Sequence, residues 1–352
     1  MSYRVSRVDL AAAGEILPDL WRSCLGLKRD PFAKFRWGYL ESPHGQGRAF
    51  LLIHQKDTGP IDYVGCAGAE QRTFYRNGRP LRASLLVDFA TNTQHRTGFP
   101  ALVLQRGVRA HCREQTDFAY GFPSRGATAI FTRVGYHELG KMAGFVRVFR
   151  YAPYLHSALR IPLLPEVGGW ILDSVTHRSV EHQARQASTS SRIDWVRDVD
   201  SRFDTLWQEA HRGYGMLCHR GAEFVRWRFL QQPSSRYDLA ILVERNTGQL
   251  RAYAAIQAGG KTAHIADLFG LGPTDLGLLL DLVIPELERR GFAAASMHFL
   301  GASWMHALLT SRGFRFRSAV DPVFVDPGGA LLTHGEQLPS VEEWYLTDAD
   351  RD

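Results

Sequence analysis

LLVDFATNTQHRTGFPALVLQR, Leu85 to Arg106, reads as a strand, a polar turn with one arginine, and a helix that opens on a proline. Leu85, Leu86, Val87, Phe89 and Ala90 form an apolar run interrupted by Asp88, as in a central strand buried on both faces. The strand is expected to end near Thr91. Asn92 to Gly98 is polar and rich in cap-forming residues, and Pro100 suits the first turn of a helix, where its missing N–H costs nothing. The helix is expected over 101–112. Its first-turn N–H groups carry the positive end of the dipole, and with Arg96 beside them they make a natural phosphate site.

Working outward, residues 8–26 have a helical apolar face of Leu10, Ile16, Leu17, Leu20 and Trp21. FRWGYLESP, Phe35 to Pro43, then has a near copy in VRWRFLQQP, Val225 to Pro233, with Arg36, Trp37, Leu40 and Pro43 matching Arg226, Trp227, Leu230 and Pro233 at one offset (226 − 36 = 190). The echo extends to the flanking elements. Strands at Phe50–Ile53 and Tyr63–Gly68 and the hairpin signal Arg76-Asn77-Gly78-Arg79 precede the opening stretch. Strands at Leu239–Val243 and Ala252–Gln257 and the turn Gly259-Gly260 precede HIADLF, His264 to Phe269, so that Asp267 echoes Asp88. Each half closes on a strand, a helix and a Gly-aromatic pair, Gly135-Tyr136 and Gly313-Phe314.

An α+β chain of two tandem units follows, each a mixed, mostly antiparallel twisted sheet flanked by helices. The expected boundaries are 1–155, a linker with a short helix over 156–200, a second unit over 201–326, and a tail of loop and strand remnants over 327–352.

Composition fits this division. The 352 residues are 45% hydrophobic and 22% charged, enough for two ordinary cores and too apolar for a disordered chain. No apolar run reaches membrane-spanning length and MSYRVSRVDL lacks a signal-peptide core, so a cytoplasmic protein without a membrane span is expected. Cys24, Cys66, Cys112 and Cys218 are scattered, with no CxxC spacing and no zinc-like pattern, and they read as buried thiols; no metal is expected. A net charge of +6 suits an anionic ligand, and the lack of a dense Lys/Arg run does not favour nucleic acid.

DFATNTQHRTGFPALVLQR and GFPSRGATAIFTRVGYHELG together resemble the acyl-CoA-binding segment and the closing signature of the GCN5-related N-acetyltransferase superfamily, and the repeat resembles its double-domain members. The resemblance implies an acyl-CoA co-substrate, most readily acetyl-CoA, and transfer to an amine of a small molecule or sugar by direct attack on the thioester. It places the phosphates on His95, Arg96, Thr97, Gly98, Phe99, Pro100 and Ala101, with Arg96 and Ala101 at the outer motif positions and Phe99 where the family has a glycine. It lays the pantetheine arm along the backbone of Phe89, Ala90 and Thr91. GLGPTDLGLLL, the corresponding turn of the second half, has no basic residue, so the first half is expected to bind cofactor and the second to be structural or to shape the acceptor site.

Amine attack needs a base, an oxyanion donor and, optionally, an acid for the thiolate. Asp88 and Glu70 are the candidate bases; the repetition of Asp88 as Asp267 favours a structural hydrogen bond common to both halves, and Glu70 reads otherwise as a surface residue. The family's usual acidic tyrosine is Phe131 here and Leu309 in the second half, which leaves Tyr120 or Ser124 to substitute, an unassisted thiolate, or a degenerate domain. Trp37 and Trp227 read as packing residues, and Cys66 lacks the partners of a nucleophile. Two other readings stay open: a peptidoglycan-type transferase using aminoacyl-tRNA, and a non-catalytic CoA-binding or scaffold protein. The acceptor pocket is expected between the halves, lined by Tyr75 to Arg79 and the linker.

Overall fold

The computed structural model describes residues 2–55, 61–96, 99–150, 190–328 and 338–351. The first half opens with β1 (Ser2–Val8), α1 (Leu10–Leu20), capped by the Asp9 carboxylate, and α2 (Pro31–Phe35), capped by Asp30. Each helix runs on into one wider π-helical turn, Trp21–Leu25 and Arg36–Leu40. The meander β2 (Arg48–Gln55), β3 (Asp62–Arg76) and β4 (Arg79–Thr91) follows; Asn77 and Gly78, both at positive φ, make the tight hairpin between the last two. Then come α3 (Phe99–Gln115), β5 (Phe118–Gly121), α4 (Arg125–Val134), closed by Gly135 in the left-handed region, and β6 (His137–Val148).

The second half repeats the plan: β7 (Ser191–Val196), α5 (Arg202–Ala210), β8 (Met216–Cys218), α6 (Ala222–Val225) with a wide turn at Arg226–Leu230, β9 (Tyr237–Glu244), β10 (Leu250–Gly259), β11 (Thr262–Gly270), α7 (Pro273–Arg289), β12 (Ala294–Gly301), α8 (Ser303–Ser311) and β13 (Arg315–Pro327). β14 (Trp344–Leu346) comes last. The chain is thus α+β, with eight α-helices among the described residues.

The two halves exchange strands. The sheet runs β1-β2-β3-β4-β5-β13-β6-β12-β11-β10-β9-β7, so β13 lies between β5 and β6, while β6 lies against β12. Asp326 on β13 is pinned there by Arg109 and Arg113 of α3, at 2.8 Å each. β14 pairs with β12 on one side and β8 on the other, and β8 pairs with β3. These pairings close a barrel of eight strands, β3-β4-β5-β13-β6-β12-β14-β8. Every barrel strand contributes to one apolar cluster, through Phe74, Leu81, Phe118, Val323, Met142, Leu300, Trp344 and Met216 in that order, which suits an interior of this strand number.

The duplicated segments meet at the centre. Trp37 and Trp227 stack at 4.5 Å and 9°, and each indole N–H donates to the other's carbonyl oxygen at 2.9 Å. Arg226 is held by Asp198 and the Val199 carbonyl.

Three features depart from the sequence reading. β1 is a strand that the apolar pattern does not announce, because its side chains alternate only between exposed and half-buried. Ser191–Val196, inside the stretch read as a linker, is the edge strand that pairs with β9; residues 151–189, where the linker's helix is expected, lie outside the described residues. The tail is core: Trp344, Tyr345, Leu346, Thr347 and Asp350 are all buried.

Candidate active site

β4 and β5 run parallel and paired only from Ala83–Leu86 against Phe118–Gly121. Beyond Leu86 they separate, and the β5-facing backbone of β4 has no strand partner among the described residues. Two adjoining cavities of about 340 and 360 Å³ occupy the gap. Leu25, Phe89, Ser124 and Ala127 border both.

The separation begins at a bulge. Cys66 pairs with Ala90 but Gly68 pairs with Val87, so Asp88 and Phe89 together face Ala67. Asp88 takes up the extra residue at φ 54, a region that Asp tolerates better than most side chains. The residue borders the inner cavity, while its carboxylate, on a side chain only 3% exposed, accepts the Tyr39 hydroxyl at 2.8 Å and pairs with Lys34 at 3.1 Å. Burial and the Asp88 charge together push the Tyr39 hydroxyl well above its usual range, so it stays a donor. Gly68 is required beneath it, because a Cβ there would collide with the Tyr39 hydroxyl.

The outer cavity is bordered by Phe89, Ala90, Thr91, Arg96 and Ala101. The Arg96 guanidinium spans the mouth, donating to the Thr91 carbonyl at 3.1 Å and the Cys24 carbonyl at 3.2 Å. His95 turns away to the Tyr3 hydroxyl, 2.8 Å from Nδ1. Phe99 is exposed at the start of α3 and Pro100 is buried in its first turn; Thr97 and Gly98 lie outside the described residues. Ser124, exposed at the N-terminus of α4, makes no capping bond with its hydroxyl and borders both cavities.

Two expected residues are elsewhere. Glu70 borders neither cavity: it is neither a surface residue nor in the cleft, but 1% exposed and paired with Arg72 at 2.7 Å, which in turn lies over the Trp227 ring. The reason is register, since Glu70 faces Leu85, well before the bulge. Tyr120 points into the barrel among Phe74 and Phe118, and its hydroxyl donates to the Asp350 carbonyl at 2.9 Å. Burial pushes that hydroxyl well above its usual range, so it is no acid for the cleft. The segment Tyr75 to Arg79 packs against the second half, with Asn77 donating to the Gly215 carbonyl, and lines neither cavity.

The sequence reading misses Leu25 and Arg351, which border the inner cavity from the turn after α1 and from the tail. Arg351 lies over the Phe122 ring and pairs with Asp321 at 2.7 Å and Asp348 at 3.3 Å. Phe131, at the position where the sequence resemblance leads one to expect a tyrosine, packs against Phe89 and Tyr136 in the cavity wall.

The corresponding gap in the second half is filled. β11 and β12 pair only from Thr262–Ile265 against Ala294–Met297, and beyond that point β14 bonds to Leu300 and Gly301 of β12 while the Tyr345 hydroxyl donates to the Leu268 carbonyl of β11. The residues after it are clamped. Buried Arg220 pairs with Asp267 at 3.0 Å and Asp350 at 2.7 Å, Thr347 donates to Asp267 at 2.8 Å, and Arg228 donates to the carbonyls of Asp348, Ala349 and Arg351. In the first copy of the repeat Gly38 stands where the second has Arg228 (228 − 190 = 38), and a Cβ at Gly38 would meet the Glu70 carboxylate.

No protein-family model matches the chain and no curated protein does. Solved structures do. A conserved Enterococcus faecalis protein superimposes with a TM-score of 0.64 over 94% of this chain and 73% of its own, at 10% identity. A GCN5-related N-acetyltransferase from Anabaena variabilis gives 0.63 over 92% and 72%, at 11% identity, and one from Kribbella flavida 0.59 over 94% and 72%, at 10%. By its strand order, its bulged and parted central strands and these superpositions, the chain has the GCN5-related N-acetyltransferase fold.

Proposed function

We propose that the chain is an acyl-CoA-dependent acyltransferase built from two acyltransferase-like units, of which the first holds the acyl-CoA and the second has given its groove to the protein's own tail. The observation that carries this reading is the contrast between the two gaps: β4 and β5 part over open cavities, while β11 and β12 part around β14. The backbone edge of β4 around Phe89 and Ala90, which has no strand partner among the described residues, suits an amide-bearing pantetheine arm, and Arg96 at the mouth suits its phosphates. The acyl group then reaches the bulge. Asp88, whose carboxylate is held by Tyr39 and Lys34 beside the inner cavity, is the candidate base for the acceptor amine, and the Ser124 hydroxyl is the candidate donor for charge that develops on the departing side. Phe131 leaves no tyrosine acid, which a thiolate, as a good leaving group, tolerates.

Calorimetric titration with acetyl-CoA and longer acyl-CoAs tests the donor. Micromolar binding is expected, weakened about tenfold in Arg96→Ala, as for one charge-assisted contact. Absence of binding to any acyl-CoA removes this reading; binding without thiol release in the presence of any amine acceptor leaves a CoA-binding protein.

A further inference from the structure

Beside the mouth of the cleft, three side chains from three segments converge. His54 on β2 and Asp62 on β3 are direct cross-strand partners, so the pleat sends both to one face. His95 comes from the turn after β4, immediately before Arg96. One donor atom from each of the three lies within 4.8 Å of the other two.

His54 is 8% exposed. Its ring lies 4.9 Å from that of Tyr3, stacked on it, and 5.0 Å from that of His95, and neither nitrogen is hydrogen-bonded among the described residues. Neither nitrogen is among the buried polar atoms left without a partner, so the ring edge reaches solvent and is open to a ligand from that side. The Tyr3 hydroxyl sits on His95 Nδ1 and fixes that ring, as outer hydrogen-bond partners fix a metal-binding histidine. His264, His298 and Asp348 form a cluster of the same composition in the second half, but Asp348 Oδ2 there accepts directly from His298 Nδ1 at 3.0 Å and from His264 Nε2, so these groups already satisfy one another.

We propose that His54, Asp62 and His95 bind a divalent transition-metal ion of the Zn²⁺, Ni²⁺ and Co²⁺ class. Two imidazoles and a carboxylate match that class, and a three-ligand set leaves a position for water. Ligands about 2.1 Å from such an ion lie roughly 3.4 Å apart, so small side-chain rotations close the site. The ion ties the β2–β3 hairpin to the turn that carries Arg96. Binding stands independently of whether the cleft takes acyl-CoA.

The test uses the full chain, dialysed against chelator and titrated with Co²⁺, with the visible ligand-field bands as readout. Bands that saturate at one ion per chain are expected, with affinity lowered at least tenfold in Asp62→Asn and in His95→Ala and unchanged in His264→Ala. Asp62 is exposed, so its variant keeps the fold, which circular dichroism checks. No bands, bands that persist at the same affinity in Asp62→Asn and His95→Ala, or bands lost instead in His264→Ala would each overturn the proposal.

Discussion

Asp88 is legible in the sequence as the one carboxylate in an apolar strand, and the structure adds where it sits: it carries the bulge at positive φ beside the inner cavity, with its carboxylate turned to Tyr39 and Lys34. Tyr39 and Lys34, which hold it, are not legible, because they come from a helix and turn far away along the chain. The one available signal is the repeat, where Tyr39 stands against Phe229. Glu70 escapes sequence reasoning because alternation along a strand does not say which face a bulge will later select. Asp88→Asn is the informative substitution, since Asn also tolerates positive φ. It should lower acyl transfer, followed by thiol release, about a hundredfold or more while acyl-CoA affinity changes less than twofold. An unchanged turnover would return Asp88 to a purely structural role. The His54, Asp62 and His95 cluster cannot be read from spacing at all, since the β2–β3 register assembles it.

At the scale of elements, most of the meander, α3 and the closing strands can be read from periodicity and turn residues, whereas β14 cannot: three residues after a stretch rich in Pro and Gly carry no pattern. What gives it meaning is the groove it fills. The seam between the halves also has a pH signature invisible in sequence. His44, ahead of β2, and His219, just after β8, approach at 5.9 Å, and burial lowers both, His219 to about 4 against the pull of Asp204. A histidine whose folded pKa lies below its unfolded value of about 6.5 stabilises fully above that pH, and the contribution is lost as pH falls toward 4. Urea unfolding between pH 7 and 4 should therefore show a loss, of which roughly 3 kcal/mol disappears in His219→Gln. Identical pH slopes in both proteins would mean that His219 titrates normally.

For the molecule as a whole, the tandem repeat is readable from FRWGYL and VRWRFL, but the barrel is not, because strand exchange leaves the order of elements along the chain unchanged. The stacked Trp37–Trp227 pair is where the repeat becomes a contact. Trp37→Ala and Trp227→Ala should each cost about 3–5 kcal/mol by denaturant titration, and the double variant less than their sum, since each removes the other's partner. Additive losses would show that the two indoles act separately.

The slot of β13 between β5 and β6 also sets an order of events during synthesis. Phe118–Gly121 is made long before Phe324–Pro327, its neighbour on the side away from β4. The nascent first half therefore presents an open strand edge until β13 has left the ribosome, and in that interval a chaperone or a neighbouring chain can take the place that β13 will fill.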